Sequence, residues 1–222
     1  MPTISVENYL KALYHLQGNE NRRVSTSELA EHLQLTLPST TGMLRSLSES
    51  GWIEYQPYRG ATLTATGRTQ ALRVIRNHRL IEAFLVQVLD YTWDEVHAEA
   101  ELLEHAISDD LANRIDAFLG HPVADPHGDP IPRGLDFVEP SQGQNLGDYA
   151  GPPARFVVNR VTNQDSELLR YLNEIGLVPG ARFRVVERLP FDGPLMIVVD
   201  DRASLAIGKM IARNLQVTLL AH

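Results

Sequence analysis

The sequence contains no cysteine, which excludes disulfides, zinc–thiolate clusters and thiol nucleophiles. Any metal site has to be built from histidine, carboxylate, amide and backbone oxygen. Lysine is nearly missing too: Lys11 and Lys209 are the only two, so almost all positive charge is arginine. No apolar run approaches the ~18 residues of a membrane-spanning helix. The opening Met-Pro-Thr-Ile-Ser-Val-Glu also lacks the basic and apolar regions of a signal peptide. These absences set the expectation of a cytoplasmic chain with no membrane association. With 43% hydrophobic residues among 222, the chain has enough apolar material to fold without covalent staples, as one large domain or two to three small ones.

The apolar spacing of Ile4, Val6, Tyr9, Leu10, Leu13, Tyr14 and Leu16 predicts an amphipathic helix that stops before Gly18-Asn19. Ser25-Thr26-Ser27-Glu28 is a capping box that opens a short helix through Leu29, Ala30 and Leu33. After a turn at Gln34-Leu35-Thr36, Pro38 stands where a first helical turn tolerates it, and a third helix runs to Ser50-Gly51. Two short helices joined this way make a helix-turn-helix. Residues 52 to 63 read as two strands around an Arg59-Gly60 turn, which is the shape of a wing. A long helix capped by Thr64 or Thr66 follows, ending near Asp90. A second capping box at Thr92-Trp93-Asp94-Glu95 predicts a helix through about Ile107, and another spans Ser108 to Leu119. Helices this apolar need a partner, so the expectation is a homodimer.

From Gly120 to Pro153 proline, glycine and aspartate dominate, as in loop and linker. Beyond it, Arg155 to Val161, Ala181 to Arg188, Leu195 to Val199 and Val217 to Leu220 are short β-rich runs, with a helix near Ser166 to Ile175 between the first two. That pattern suits a small barrel. The expected fold class is mainly α with β. Its predicted parts are a winged helix-turn-helix over residues 1–73, a helical metal-binding and dimerisation domain over 74–140, a linker over 141–153 and a small β-barrel over 154–222.

The net charge of −8 looks wrong for a DNA binder, yet residues 1–73 carry 7 basic and 6 acidic side chains, so the acidity lies downstream. A near-neutral DNA-binding part on an acidic body binds nonspecific DNA weakly and needs a second event to bind well. Thr36, Ser39, Thr40 and Thr41 cluster with Pro38 at the start of the third helix, where hydroxyls and free amides can meet phosphate. Arg59 at the wing turn reaches toward backbone or minor groove. Arg45, a turn further along the helix, meets phosphate or simply solvates.

On the helix opening at Thr92, His97, Glu101, Glu104 and His105 stand at relative positions 0, 4, 7 and 8, which share one face. No lysine or arginine interrupts this stripe, so the expectation is that a divalent cation relieves its crowding. On the preceding helix His78 and Glu82 are four residues apart, a spacing that lets both reach one ion. The bland alternative for both groups is a solvated helix face, and for His78 and Glu82 alone it is the better one. With oxygen donors dominant and sulfur absent, the ion class is Mn2+ or Fe2+.

Taken together, Val6-Glu7-Asn8-Tyr9-Leu10, Leu37-Pro38-Ser39-Thr40, Leu63-Thr64-Ala65-Thr66-Gly67-Arg68, His78-Arg79-Leu80-Ile81-Glu82, the run from His97 to His105 and Gly128-Asp129-Pro130-Ile131-Pro132 resemble the diphtheria toxin repressor family of iron- and manganese-dependent regulators. The resemblance covers most of the chain. It implies two metal sites per subunit, one at Asn8, Glu101, Glu104 and His105, the other at His78, Glu82 and His97. It further implies that the C-terminal part is an SH3-like domain lending a ligand from Asp165 or Glu167, whose alternative role is to cap the short helix. Iron-sensing relatives often have cysteine at the position of Glu101, so glutamate there moves the expectation toward manganese. The implied function is a transcriptional repressor of metal homeostasis that binds inverted-repeat operator DNA with metal as corepressor, and not an enzyme. Two other readings compete with it: a di-metal hydrolase or oxidase, and a winged-helix regulator sensing an organic ligand.

Overall fold

The computed structural model describes residues 2–134, 137–140, 143–200 and 203–220, and the chain divides into two compact units. The first unit holds Met1–His78, Glu101–Arg114 and Ile131–Glu139. It begins with α1 (Ile4–Gln17), which buries Tyr9, Leu10, Leu13 and Tyr14. Next, α2 (Thr26–His32) opens on the expected capping box: Ser25 Oγ accepts the Glu28 amide, and the Glu28 carboxylate accepts the Ser25 amide at 2.9 Å. After the turn, α3 (Leu37–Glu49) is capped by the Thr36 hydroxyl and has Pro38 in its first turn, where its missing N–H costs nothing. Strands β1 (Ile53–Gln56) and β2 (Gly60–Leu63) pair antiparallel to form the wing. A Cβ on Gly60, whose φ is +92°, would lie 2.4 Å from the Val24 carbonyl, so the isolated bridge between Val24 and Ala61 requires glycine beside it. Leu10, Leu13, Leu29, Leu44, Leu47, Ile53 and Ile75 close one core. At about 1.5–3 kcal/mol for each large apolar side chain, this burial holds the helices and the wing together.

The Thr64 hydroxyl caps α4 (Ala65–Leu89) by accepting the Gly67 amide at 3.1 Å. The helix after it differs from expectation. Residues 92–95 form a turn in which the Glu95 carboxylate binds the Thr92 amide and hydroxyl, and α5 covers only Val96–Leu103. Glu104 and His105 therefore lie in the turn beyond the helix, where the Ala106 and Ile107 amides both bond the Leu103 carbonyl. The single-face argument holds for His97 and Glu101 and fails for the other two. Ser108 then caps α6 (Asp109–Phe118) through the Leu111 amide.

The second unit holds Arg79–Ala100, Ile115–Pro130 and Pro140–His222. Its six-stranded antiparallel sheet is built from β3 (Gln144–Asn145), β4 (Ala154–Val161), β5 (Arg182–Arg188), β6 (Leu195–Val199), β7 (Leu205–Ile207) and β8 (Leu215–Leu219), in the order β3-β8-β4-β5-β6-β7. Between strands lie α7 (Ser166–Ile175) and α8 (Lys209–Ala212). Strand β6 alternates buried and half-buried residues, the period-2 signal read in the sequence. Register shifts in β4 and β5 bend the sheet around Phe156, Leu169, Leu172, Ile197 and Val217. Part of the segment expected as linker is sheet: β3 pairs with β8, and Leu146 beside it is fully buried. One strand and one buried leucine are too little signal to stand out in a Gly- and Pro-rich stretch. Among the described residues, no helix is long and apolar enough to cross a membrane.

Replacing Ser25 by alanine is expected to destabilise the chain by about 1 kcal/mol, read as a lower urea midpoint at unchanged slope. The Glu28 half of the box carries the pH dependence. Bonding to the Ser25 amide and hydroxyl lowers its pKa, outweighing a small opposing effect of burial, with Arg22 helping. Its stabilisation is thus present above the ordinary carboxylate value and disappears as the pH falls through the lowered one.

Candidate metal centre

Within the first unit, three polypeptide segments bring carboxylates and imidazoles together. Glu104 is fully buried. Its Oε2 lies 2.5 Å from His78 Nδ1, and its Oε1 lies 3.2 Å from His105 Nε2. The other nitrogen of His105, Nδ1, meets Glu7 Oε2 of α1. A carboxylate only accepts, so Nδ1 carries the proton and Nε2 is left to offer a lone pair. Glu7 is itself 3% exposed and held by Gln70 at 2.7 Å and Arg73 at 3.4 Å. This carboxylate–imidazole pairing fixes ring and tautomer as in metal sites generally. Beside it on α1, Asn8 is half-buried, and its side-chain oxygen is buried without a hydrogen bond. An orphaned oxygen next to two carboxylates and an imidazole fits a divalent cation, so the donor set expected at Asn8, Glu101, Glu104 and His105 is chemically coherent.

The expectation that nothing cationic compensates the stripe is overturned. Lys11, one turn along α1 from Asn8, places Nζ 2.7 Å from Glu101 Oε1 and 2.9 and 2.8 Å from the two Glu104 oxygens. Its partners are 90 and 93 residues away, so no local pattern reveals it. Glu7 was missed for the same reason. His78, expected at the second site, is bonded to Glu104 in the first unit.

In the second unit Glu82 is fully buried, and its Oε1 lies 3.3 Å from His97 Nδ1. The two side chains expected to serve the second site from the C-terminal part behave differently. Asp165 caps α7, its Oδ1 accepting the Glu167 and Leu168 amides at 3.0 Å, and Glu167 is exposed. Among the described residues neither joins Glu82 and His97 in a metal-sized group.

The proposed DNA face is partly what the residues suggested. Thr36, Pro38, Ser39 and Arg45 are exposed along α3, and Arg59 is exposed at the wing tip beside a fully exposed Tyr58. Thr40 is the exception. It is fully buried and its hydroxyl donates to the Thr36 carbonyl at 3.1 Å, so its side chain is not available to DNA. The Thr41 hydroxyl donates to the Leu37 carbonyl at 2.8 Å.

Models of the iron-dependent repressor match the chain in two blocks, the N-terminal DNA-binding domain over residues 1–61 and the metal-binding and dimerisation domain over 64–133, and a FeoA domain matches 150–219. The iron-dependent repressor IdeR of Mycobacterium tuberculosis is 32% identical over 205 residues, spanning 87% of this chain and 88% of the relative. This chain belongs to the iron-dependent repressor family. As a member it is a metal-dependent, DNA-binding transcriptional repressor and not an enzyme. The diphtheria toxin repressor of Corynebacterium diphtheriae is 27% identical over 218 residues, 90% of this chain and 94% of that one. Among solved structures, a manganese-dependent transcriptional repressor in complex with manganese is 38% identical with a TM-score of 0.85, covering 97% of this repressor and all of that chain. The manganese-activated repressor ScaR with bound Cd2+ is 31% identical at a TM-score of 0.78, covering 99% of this chain and 100% of its own.

Lys11→Met leaves a buried carboxylate without its cation. Removing one partner of a fully buried pair costs about 3–5 kcal/mol, and this pair is open on the Glu101 side, so a loss of about 2 kcal/mol is expected in the metal-free repressor. Thermal melts in the presence of a chelator check the loss. Melts with MnCl2 should show a larger rise in Tm for the variant than for the wild type, because metal no longer displaces an ammonium.

Proposed function

We propose that this repressor is switched on by Mn2+ or Fe2+, with manganese favoured, through an ion held by Asn8, Glu101, Glu104 and His105. The observation that carries the reading is the orphaned Asn8 oxygen on α1 beside a carboxylate pair and an imidazole whose second nitrogen is already fixed by Glu7. The donors are oxygen and nitrogen without sulfur, which suits the harder divalent ions. When bound, the ion supplies the double positive charge that two carboxylates share.

The protein's own residues do the rest. Glu7 orients His105, and Lys11 gives up its place between Glu101 and Glu104. Asn8 then ties α1 to the segment after α5, and α1 packs in the same core as α3 and the wing. The ligated arrangement thereby restrains the reading helix in a DNA-competent pose. A second ion per subunit is held by Glu82 and His97, with Asp165 and Glu167 as the further ligands suggested by resemblance. The working form is a homodimer. Leu102 at 74% exposure, with Leu103 and Leu111 also exposed, offers the apolar contact such a partner covers. Two reading heads related by a twofold axis meet half-sites about 34 Å or a multiple apart, so the operator is an inverted repeat in cytoplasmic DNA. Thr36, Pro38, Ser39, Thr41, Arg45 and Arg59 make the contacts. The regulated genes are those of metal-ion homeostasis.

A coupling of about 1–3 kcal/mol makes MnCl2 raise operator affinity roughly 5- to 150-fold in a gel-shift titration. Glu101→Ala is expected to abolish that gain while leaving the weak metal-free binding intact. Arg59→Ala is expected to weaken binding with and without metal and to flatten its salt dependence. Operator binding that is equally tight in chelator and in MnCl2 would sink the proposal.

A further inference from the structure

Within the second unit, the loop before Ile131 holds two side chains that none of the expected sites uses. Asp125 is 7% exposed and His127 fully buried. The loop is fastened closely. Asp125 Oδ1 accepts the amides of His127 and Asp129 at 2.8 and 2.9 Å, and the Val161 amide of β4 donates to the His127 carbonyl at 2.9 Å. Gly128, with φ +88°, presses against the Asn159 carbonyl where a Cβ would lie at 2.0 Å. Both side chains are therefore held in place before any ligand arrives.

Their unused atoms point the same way. Asp125 Oδ2 and His127 Nδ1 are buried and make no hydrogen bond. His127 Nε2 lies 2.7 Å from the Trp93 carbonyl, with the ring stacked on the Trp93 indole. A carbonyl only accepts, so in the neutral ring the proton is on Nε2 and Nδ1 presents a lone pair. That lone pair faces Glu82 Oε2 at 3.4 Å, longer than the 2.7–2.9 Å of a charge-assisted hydrogen bond. The ligand atoms of Glu82, Asp125 and His127 all lie within 4.8 Å of one another. An ion about 2.1 Å from both His127 Nδ1 and Glu82 Oε2 would subtend about 108°, an ordinary ligand–metal–ligand angle.

We propose that Glu82, Asp125 and His127 form a buried divalent-cation site, with the Glu82 carboxylate bridging to His97 through its other oxygen. Two carboxylates and one imidazole without sulfur call for manganese, ferrous iron or zinc. The charges around the pocket leave this need unmet: Arg79, 3.6 Å from Asp129, and Arg160 both pair with Asp129, and His97 lies on the far oxygen of Glu82. The electrostatics agree. Burial, then Asp129 and Glu82, hold the Asp125 carboxyl well above the usual carboxylate range. Burial pushes the His127 imidazole down, yet Glu82, Asp125 and the Trp93 carbonyl outweigh it and leave its pKa above the ordinary value. Both directions describe a pocket short of positive charge. An ion there clamps the 120–130 loop to α4 within the second unit. The inference rests on the proposed function only for the choice of ion.

The test is Mn2+ binding to the full-length, metal-stripped chain, counted by electron paramagnetic resonance of free Mn2+. Asp125→Asn keeps the Oδ1 acceptor that shapes the loop and removes the anionic ligand. It is expected to bind one ion fewer per chain than wild type, or that ion at least tenfold more weakly, and His127→Gln is expected to do the same. Glu101→Ala should lose a different ion, so the double variant with Asp125→Asn loses both. As a readout on the unaltered chain, the 15N shift of His127 Nδ1 should move to a metal-bound value on adding Cd2+. Unchanged Mn2+ counts and affinities in Asp125→Asn would overturn the site while leaving metal-activated operator binding standing. A His127 that stays doubly protonated at saturating Cd2+ would overturn it equally, because the imidazolium would then be the pocket's cation.

Discussion

Glu104 is fully buried, and a carboxylate out of water has to be matched by positive charge or by hydrogen-bond donors around it. In the first unit this demand draws Lys11 from α1, His78 from α4 and His105 from its own turn onto one side chain. Glu7 adds a second buried anion and binds His105 from the other side. The consequence is mechanical as well as electrostatic. Segments separated by 90 residues are held by ionic contacts at the place where the core of the winged helix-turn-helix is narrowest in apolar side chains. Any cation that competes for those oxygens therefore acts on α1.

A tethered ammonium and a free divalent ion are two solutions to the same charge problem, and they differ in what they bring with them. Lys11 supplies one charge from a flexible stem and asks nothing of Asn8. A divalent ion supplies two charges and collects several donors at about 2 Å, so it recruits Asn8, whose oxygen is otherwise buried without a partner. That difference in donor count is what converts metal availability into a change of restraint on the DNA-reading part. Glu82 presents the corresponding problem in the second unit, where His97 and His127 approach its two oxygens and arginines are engaged elsewhere.

The second unit also shows how a loop becomes part of a site. Residues 120–130 are rich in proline, glycine and aspartate, the composition of a turn, and they are a turn. Asp125 closes it through one oxygen, which is the ordinary business of aspartate in loops. What sets it apart is that its second oxygen is buried, a fact that depends on β4 and Trp93 lying over the loop and not on the loop's own sequence.

The helices, their caps, the wing and most of the sheet were legible because their signals are local: capping boxes act over three residues, helical and strand periods over a few more, and a proline or glycine within one turn. Ser25 and Glu28, Pro38 in α3 and the alternation in β6 are examples. The ligand types Glu101, Glu104, His105, Glu82 and His97 were legible as well, since the absence of cysteine and the clustering of histidine with carboxylate are matters of composition. Tertiary structure decided which atoms meet. It ended α5 at Leu103, moved Glu104 and His105 off the helical face, turned Thr40 inward, set Asp165 to capping and built β3 out of an expected linker. Above all it placed Lys11 among carboxylates some 90 residues away. Contacts at that separation depend on how cores close, and burial, which makes a charge seek a partner, is not a property of any short stretch of sequence.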